Sequence, residues 1–221
     1  MFGYNVARHP VLNLPMICLW SETERFKRAE VRVVPEYGSN ICSYTIDGIE
    51  YIHQGFFDVA GMKFFGIPVL YPYPNRVDGC KAVINDTEIP LPDTDNGRTL
   101  HGLVAAASFS YDTPVMTDDS ISVKTSLTID EDHVLFPYFP VPNRLELTIT
   151  LSQEGLTVQV KVTNLDGAKD LPFGFGVHPY FNVIGSKSDV LIRVPATGYM
   201  ENQKLIPTGN VLPMEQGPAD L

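Results

Sequence analysis

Strict alternation of apolar and polar side chains constrains this chain more than any other feature. Ile121–Ile129 (ISVKTSLTI) places Ile121, Val123, Leu127 and Ile129 on one face and Ser122, Lys124, Ser126 and Thr128 on the other. That period of two is the mark of a strand with one side on a core and the other in water. Leu145–Leu151 and Leu156–Val162 repeat it, and the intervening Ser152–Gly155 suits a tight reversal, so these two segments read as a hairpin. A second hairpin is legible where ICSYTI (41–46) meets IEYIH (49–53) across Asp47 and Gly48, a pair that tolerates positive φ in a two-residue turn. Further strands are expected at Glu30–Val34, Ala106–Tyr111 and Asp189–Val194, with period two dominant from residue 30 onward.

Punctuation points the same way. With 17 glycines and 18 prolines, the chain breaks too often for a helical bundle. No dozen residues combine three-and-four spacing with caps at both ends, so helices are expected to be short. Many short strands separated by turns predict an all-β fold, a sandwich or barrel, spanning residues 1–221 as one domain. Two Pro- and aromatic-rich stretches, Gly66–Gly79 and Leu135–Asn143, read as ordered loops or covers.

The charge balance excludes partners. There are 26 acidic against 16 basic side chains, a formal net charge of -10, the wrong sign for gripping nucleic acid or an anionic membrane. Pro10 and Pro15 interrupt the only candidate leader, and no run of ~18 apolar residues exists to cross a bilayer. A soluble, cytoplasmic protein is the expectation. Cys18, Cys42 and Cys80 form no CxxC pair and lack basic flanks, so they read as inert thiols in a reducing compartment.

Three strings carry candidate chemistry. In FGFGVHPYFN (173–182), Gly174 and Gly176 resemble a dinucleotide fingerprint only superficially, since the third glycine is missing and Pro179 forbids the helix that such a loop must open. What remains is His178, stiffly held between a glycine-rich strand and a proline. It is either a proton-transfer group matched to neutral pH or a core histidine satisfied by a carbonyl. His101 lies in RTLHGL, beside Gly102, which permits close approach of another group. Asn75 and Arg76 end a proline-constrained loop, where a guanidinium can donate parallel hydrogen bonds to vicinal oxygens. His9, His53 and His133 have no partner at metal-ligand spacing, and no G-x-S-x-G elbow occurs, so neither a metal site nor a serine nucleophile is expected.

In this order, PNR (74–76), LHG (100–102) and HPYFN (178–182) resemble the aldose 1-epimerase, or mutarotase, family, as do GIPVLYP (66–72) and IPTG (206–209). The similarity runs from about residue 28 to the end of the sequence. It implies a large antiparallel β-sandwich of the galactose mutarotase-like supersandwich type, with a sugar site in an open cleft and no cofactor. It further implies that a free aldohexose such as galactose or glucose is the substrate. On that pattern Arg76 and His101, with Asn75 beside them, bind sugar oxygens, and His178 is the catalytic acid at the ring oxygen. Tyr73, Tyr180 and Phe181 are candidates to stack on the sugar's C–H face.

The chain departs from the pattern at its end. The family's general-base glutamate and a hydroxyl-binding aspartate follow the IPTG segment, and neither Glu215 nor Asp220 matches them. The general base is therefore unassigned, and the sandwich is expected to be C-terminally incomplete relative to the family. The alternatives to a complete epimerase are a catalytically silent sugar-binding sandwich and an inactive fragment. Unpaired strand edges make a homodimer a further expectation.

Overall fold

The computed structural model describes residues 1–59 and 62–216, and within them the structure is almost entirely antiparallel sheet. The fold is the expected β-sandwich. One five-stranded sheet runs in simple sequence order through Phe2–Arg8, Pro15–Ser21, Ala29–Val34, Asn40–Ile46 and Ile49–Glu50. The other lays Ser120–Ile129 beside Asn143–Ser152 and then Gly155–Asn164, with the short strands Ser110–Tyr111 and Val115–Met116 both pairing Ser120–Ile129. Helical structure among the described residues is limited to single 3₁₀ turns, as at Phe136–Tyr138 within the second Pro-rich stretch.

Both anticipated hairpins form. Ser152 pairs with Gly155, and Ile46 pairs with Ile49 across Asp47 (φ 51) and Gly48 (φ 84), two residues of positive φ whose twist matches that of the flanking strands. The apolar faces then meet. Ile17, Leu19, Val31 and Val33 of the first sheet pack on Ile121, Val123, Ile149 and Leu151 of the second, all essentially excluded from solvent. Thr125 interrupts the apolar row of its strand, and its hydroxyl is satisfied by Ser39 Oγ at 2.7 Å across the core.

Two expectations need correction, and one pair of strands was not anticipated. Residues 106–109 are not extended; pairing begins only at Ser110, because this stretch turns over the core, where Phe109 is buried and its N–H is taken by Pro35 O. Asp189–Val194 forms no strand: a 3₁₀ turn spans Lys187–Asp189, and the exposed Val190, Leu191 and Ile192 pair with no strand among the described residues. Conversely, the first twenty residues form two strands although their pattern is not a clean alternation. Ile17 and Leu19 enter the inter-sheet core while Met16 and Cys18 pack on the opposite face with Val34, Cys42 and Phe65, so burial on both faces erases the period.

The inner apolar face extends beyond its cover. Val123, Ile149 and Val158 form one cross-strand row, and Thr125, Leu147 and Val160 the next. The first two members of each row are buried, while Val158 and Val160 are 36% and 38% exposed. They line an apolar trough of about 270 Å³ with Ile41, Ile67, Val69 and Phe175. Among the described residues, no helix is long and apolar enough to cross a membrane.

Candidate active site

The segment Gly66–Asp78 organises the site, because two sequence-distant stretches attach to it. On one side, residues 174–182 run antiparallel to it. Gly174 N–H donates to Pro72 O, Gly176 and Val177 pair with Leu70 and Val69, His178 N–H donates to Pro68 O at 3.0 Å, and Tyr180 N–H to Gly66 O at 2.9 Å. On the other side, Leu100 pairs with Arg76, His101 N–H donates to Asn75 O at 2.8 Å, and Leu103 N–H donates to Tyr71 O at 2.8 Å. One backbone thus holds both histidines.

The glycines of these strings serve that close approach. A Cβ on Gly102 (φ +77) would lie 2.2 Å from Tyr71 O, and one on Gly174 would lie 2.8 Å from Pro74 Cδ. The G-x-G ahead of His178 lets the chain pass over Pro74. His101 itself has φ 63 and Asn75 φ 64, a left-handed conformation that polar short side chains adopt more readily than others.

Alternation along 175–181 sorts the side chains. Phe175, Val177, Pro179 and Phe181 turn to the apolar trough, whereas His178 and Tyr180 turn to the site. The ring centroids of His178 and His101 lie 5.3 Å apart, edge to face; those of His178 and Tyr180 lie 4.9 Å apart, and Phe57 stacks on Tyr180 at 4.9 Å. Phe181 is therefore turned away from the histidines. Tyr73 lines a different hollow, with Phe139 and Phe173, where burial raises its phenol pKa. Asn182, the last residue of HPYFN, is an anchor: its amide donates to Glu50 O and Ile52 O, and its Oδ1 faces His53 Nδ1 at 3.3 Å.

All four sequence-predicted residues converge. Asn75 and Arg76 adjoin His101 through backbone pairing, and His101 meets His178 ring to ring. The ring nitrogens Nδ1 of both histidines are shielded from solvent and have no hydrogen-bond partner among the described residues. His101 titrates low, at about 4, first because the ring is desolvated, then because His178 and Arg76 oppose a further positive charge; Asp95 works weakly the other way. His101 is accordingly neutral at pH 7.

Sequence reasoning missed Asp95. Its Oδ2 accepts Arg76 Nε at 2.6 Å and Arg98 Nη2 at 3.3 Å, and the Arg76 bond, aided by both positive charges, holds its carboxyl below the usual range. The signal was the turn-forming DTDNG run ahead of Arg98, whose side chains cap their own backbone: Asp93 accepts from Gly97 N–H, and Thr94 Oγ1 from Leu100 N–H. The buried Cys42 thiol is pushed up to about 12 by desolvation, as an inert core cysteine would be.

Comparison with known proteins bears on the family and the fold. Protein LacX (plasmid) of Lactococcus lactis subsp. lactis is 26% identical over 142 residues, 62% of this chain and 42% of LacX. Among solved structures, a galactose mutarotase-like protein from Clostridium acetobutylicum superposes with a TM-score of 0.78 at 20% identity, covering 96% of this chain and 64% of that one. Galactose 1-epimerase from Lactobacillus acidophilus gives 0.71 at 16% identity, with 98% and 64% covered. The chain thus spans less than two thirds of the length of these relatives. The sequence profile described as aldose 1-epimerase matches residues 25–221, nearly the whole chain, and on that match this chain belongs to the aldose 1-epimerase family.

Proposed function

We propose that the His101–His178 cleft binds a free aldose and catalyses interconversion of its α and β anomers. The observation that carries this reading is the contact between the two imidazoles, 5.3 Å between centroids, with Arg76 and Asn75 on the backbone strand adjoining His101. Ring opening requires a proton at the ring oxygen as its bond to C1 breaks, and loss of the C1 hydroxyl proton as the aldehyde forms. Two cationic imidazoles so close repel, and His101 is the one held neutral. The family pattern of HPYFN gives the proton-delivering role to His178, whose ring meets that of His101. His101, Arg76 and Asn75 hydrogen-bond sugar hydroxyls, and Tyr180, backed by Phe57, supplies an apolar ring face.

No residue is assigned to take the C1 hydroxyl proton. Asp95 is the carboxylate whose charge reaches His101, and two arginines already engage it. Glu215 lies in an exposed 3₁₀ turn, and Asp220 is outside the described residues. That occupied carboxylate favours one second reading, sugar binding without turnover.

Anomer exchange of freshly dissolved α-D-galactose and α-D-glucose, followed by NMR, distinguishes the two. Acceleration that disappears in His178→Ala supports the epimerase reading. Acceleration that survives in His178→Ala refutes the assigned acid. Sugar-dependent shifts of the imidazole signals without acceleration establish the binding reading, and absence of any such shift removes both.

A further inference from the structure

We infer that Asp95 is a positioning residue of this site, fixing the plane in which Arg76 presents its guanidinium to a sugar; the inference rests on the sugar-binding reading above. An arginine on a short strand has several rotatable bonds and would otherwise sweep a wide volume. Here Asp95 Oδ2 takes the inner nitrogen, Nε, at 2.6 Å, and Asn75 Oδ1 takes Nη1 at 3.4 Å. Bonds at Nε and at Nη1 fix the orientation of the planar group, and among the described residues Nη2 has no side-chain or backbone partner, so it is the nitrogen placed to meet a ligand.

The carboxylate is itself held from behind. Asp95 N–H donates to Arg98 O at 2.9 Å and Thr94 N–H donates to the same oxygen at 3.0 Å. Asp93 closes the turn by accepting Gly97 N–H, and Arg98 returns a second cation to Asp95 while its Nη1 donates to Lys204 O at 2.9 Å. Arg76 and Asp95 are each only 20% exposed at the side chain, so solvent screens the pair less than an open surface pair. The acid's hydrogen bond to the proposed sugar-binding residues is the one to Arg76 Nε, so its action on substrate runs chiefly through Arg76.

The test is a double-mutant cycle with a spectroscopic check. In Asp95→Ala the Arg76 Nε–H resonance should lose its downfield shift and exchange protection. Half-saturation by α-D-galactose should rise on the order of tenfold, as expected when a charged hydrogen bond is lost, with kcat little changed. Asp95→Asn, which keeps the side-chain shape, should reproduce the weakening with an unaltered melting temperature, separating positioning from folding. Adding Asp95→Ala to Arg76→Ala should cost nothing further. An Arg76 Nε–H signal unmoved by Asp95→Ala overturns the positioning role whatever the sugar does. Fully additive losses in the cycle overturn it too, by showing that Asp95 acts without Arg76. Failure of the wild-type chain to bind galactose overturns the sugar reading instead, and leaves the Nε–H signal to decide whether Asp95 holds the guanidinium.

Discussion

Replacing Gly102 with alanine should damage both the fold and the site, by an amount that a neighbouring glycine calibrates. Gly102 has φ +77, where an L side chain costs roughly 1–2 kcal/mol. The added Cβ would also stand 2.2 Å from Tyr71 O, with Tyr71 C at 2.6 Å, and both are backbone atoms of a fully buried residue that no rotamer change relieves. Relief requires the two strands to separate, which breaks the Leu103 N–H bond to that carbonyl and leaves buried polar groups unpaired at about 1–3 kcal/mol. The combined loss should be about 2–5 kcal/mol. Gly97, in the preceding turn, has φ +86 but nothing within 4 Å of its would-be Cβ, so Gly97→Ala should show the conformational cost alone. Urea unfolding of both variants at a common slope measures the difference. Equal losses in the two variants would refute the close-approach account of Gly102.

Two further perturbations test other links. Tyr71→Phe removes the hydroxyl that donates to Asn143 Oδ1 at 2.8 Å in the core, leaving a buried acceptor whose amide remains tied to Val141 O. Unfolding free energy should fall by about 1–3 kcal/mol, and a change below about 0.5 kcal/mol would contradict that accounting. The second concerns pH. Because folding lowers the pKa of His101 to about 4 from an ordinary 6.5, the unfolded chain binds its proton more readily. Stability should be full above pH 6.5 and decline as pH falls toward 4. The ring is only half-buried, so the slope should stay well below the ~1.4 kcal/mol per pH unit of a fully shielded group. His101→Asn, which tolerates the left-handed backbone, should flatten the decline in that window; an unchanged profile would place the titration elsewhere.

Most of the second sheet was legible because it is half-buried: Ser120–Ile129 and Asn143–Ser152 each keep one face on the core, and the alternation survives in the sequence. The first sheet was harder. Its second strand is buried on both sides, by Ile17 and Leu19 within the sandwich and by Met16 and Cys18 beneath a covering loop, so no period remains to read. The convergence of Arg76, His101 and His178 came from the order of short motifs, and nothing local to any one of them requires it. Asp95 was invisible for a related reason. An aspartate in a DTDNG turn has a sufficient local role, and only the pairing of Leu100 with Arg76 brings that turn alongside the arginine. The same ambiguity sent Asp189–Val194 astray, since a β-branched run becomes a strand only where a partner exists.

The way the site is strung on one segment also bears on when it can form. The long strands of the second sheet join through near neighbours in sequence, the cheapest closures available to an unfolded chain. The histidine cleft is the opposite case. It needs Gly66–Asp78 to capture residues 98–103 on one side and residues 174–182 on the other, the latter from about a hundred positions away. During synthesis the sheets can begin to assemble while His178 is still unmade, and ligand competence must wait until HPYFN has emerged and docked. A refolding experiment read by the signal of the second sheet's hairpins should therefore finish ahead of one read by the cleft, so the site matures after the sheet that supports it.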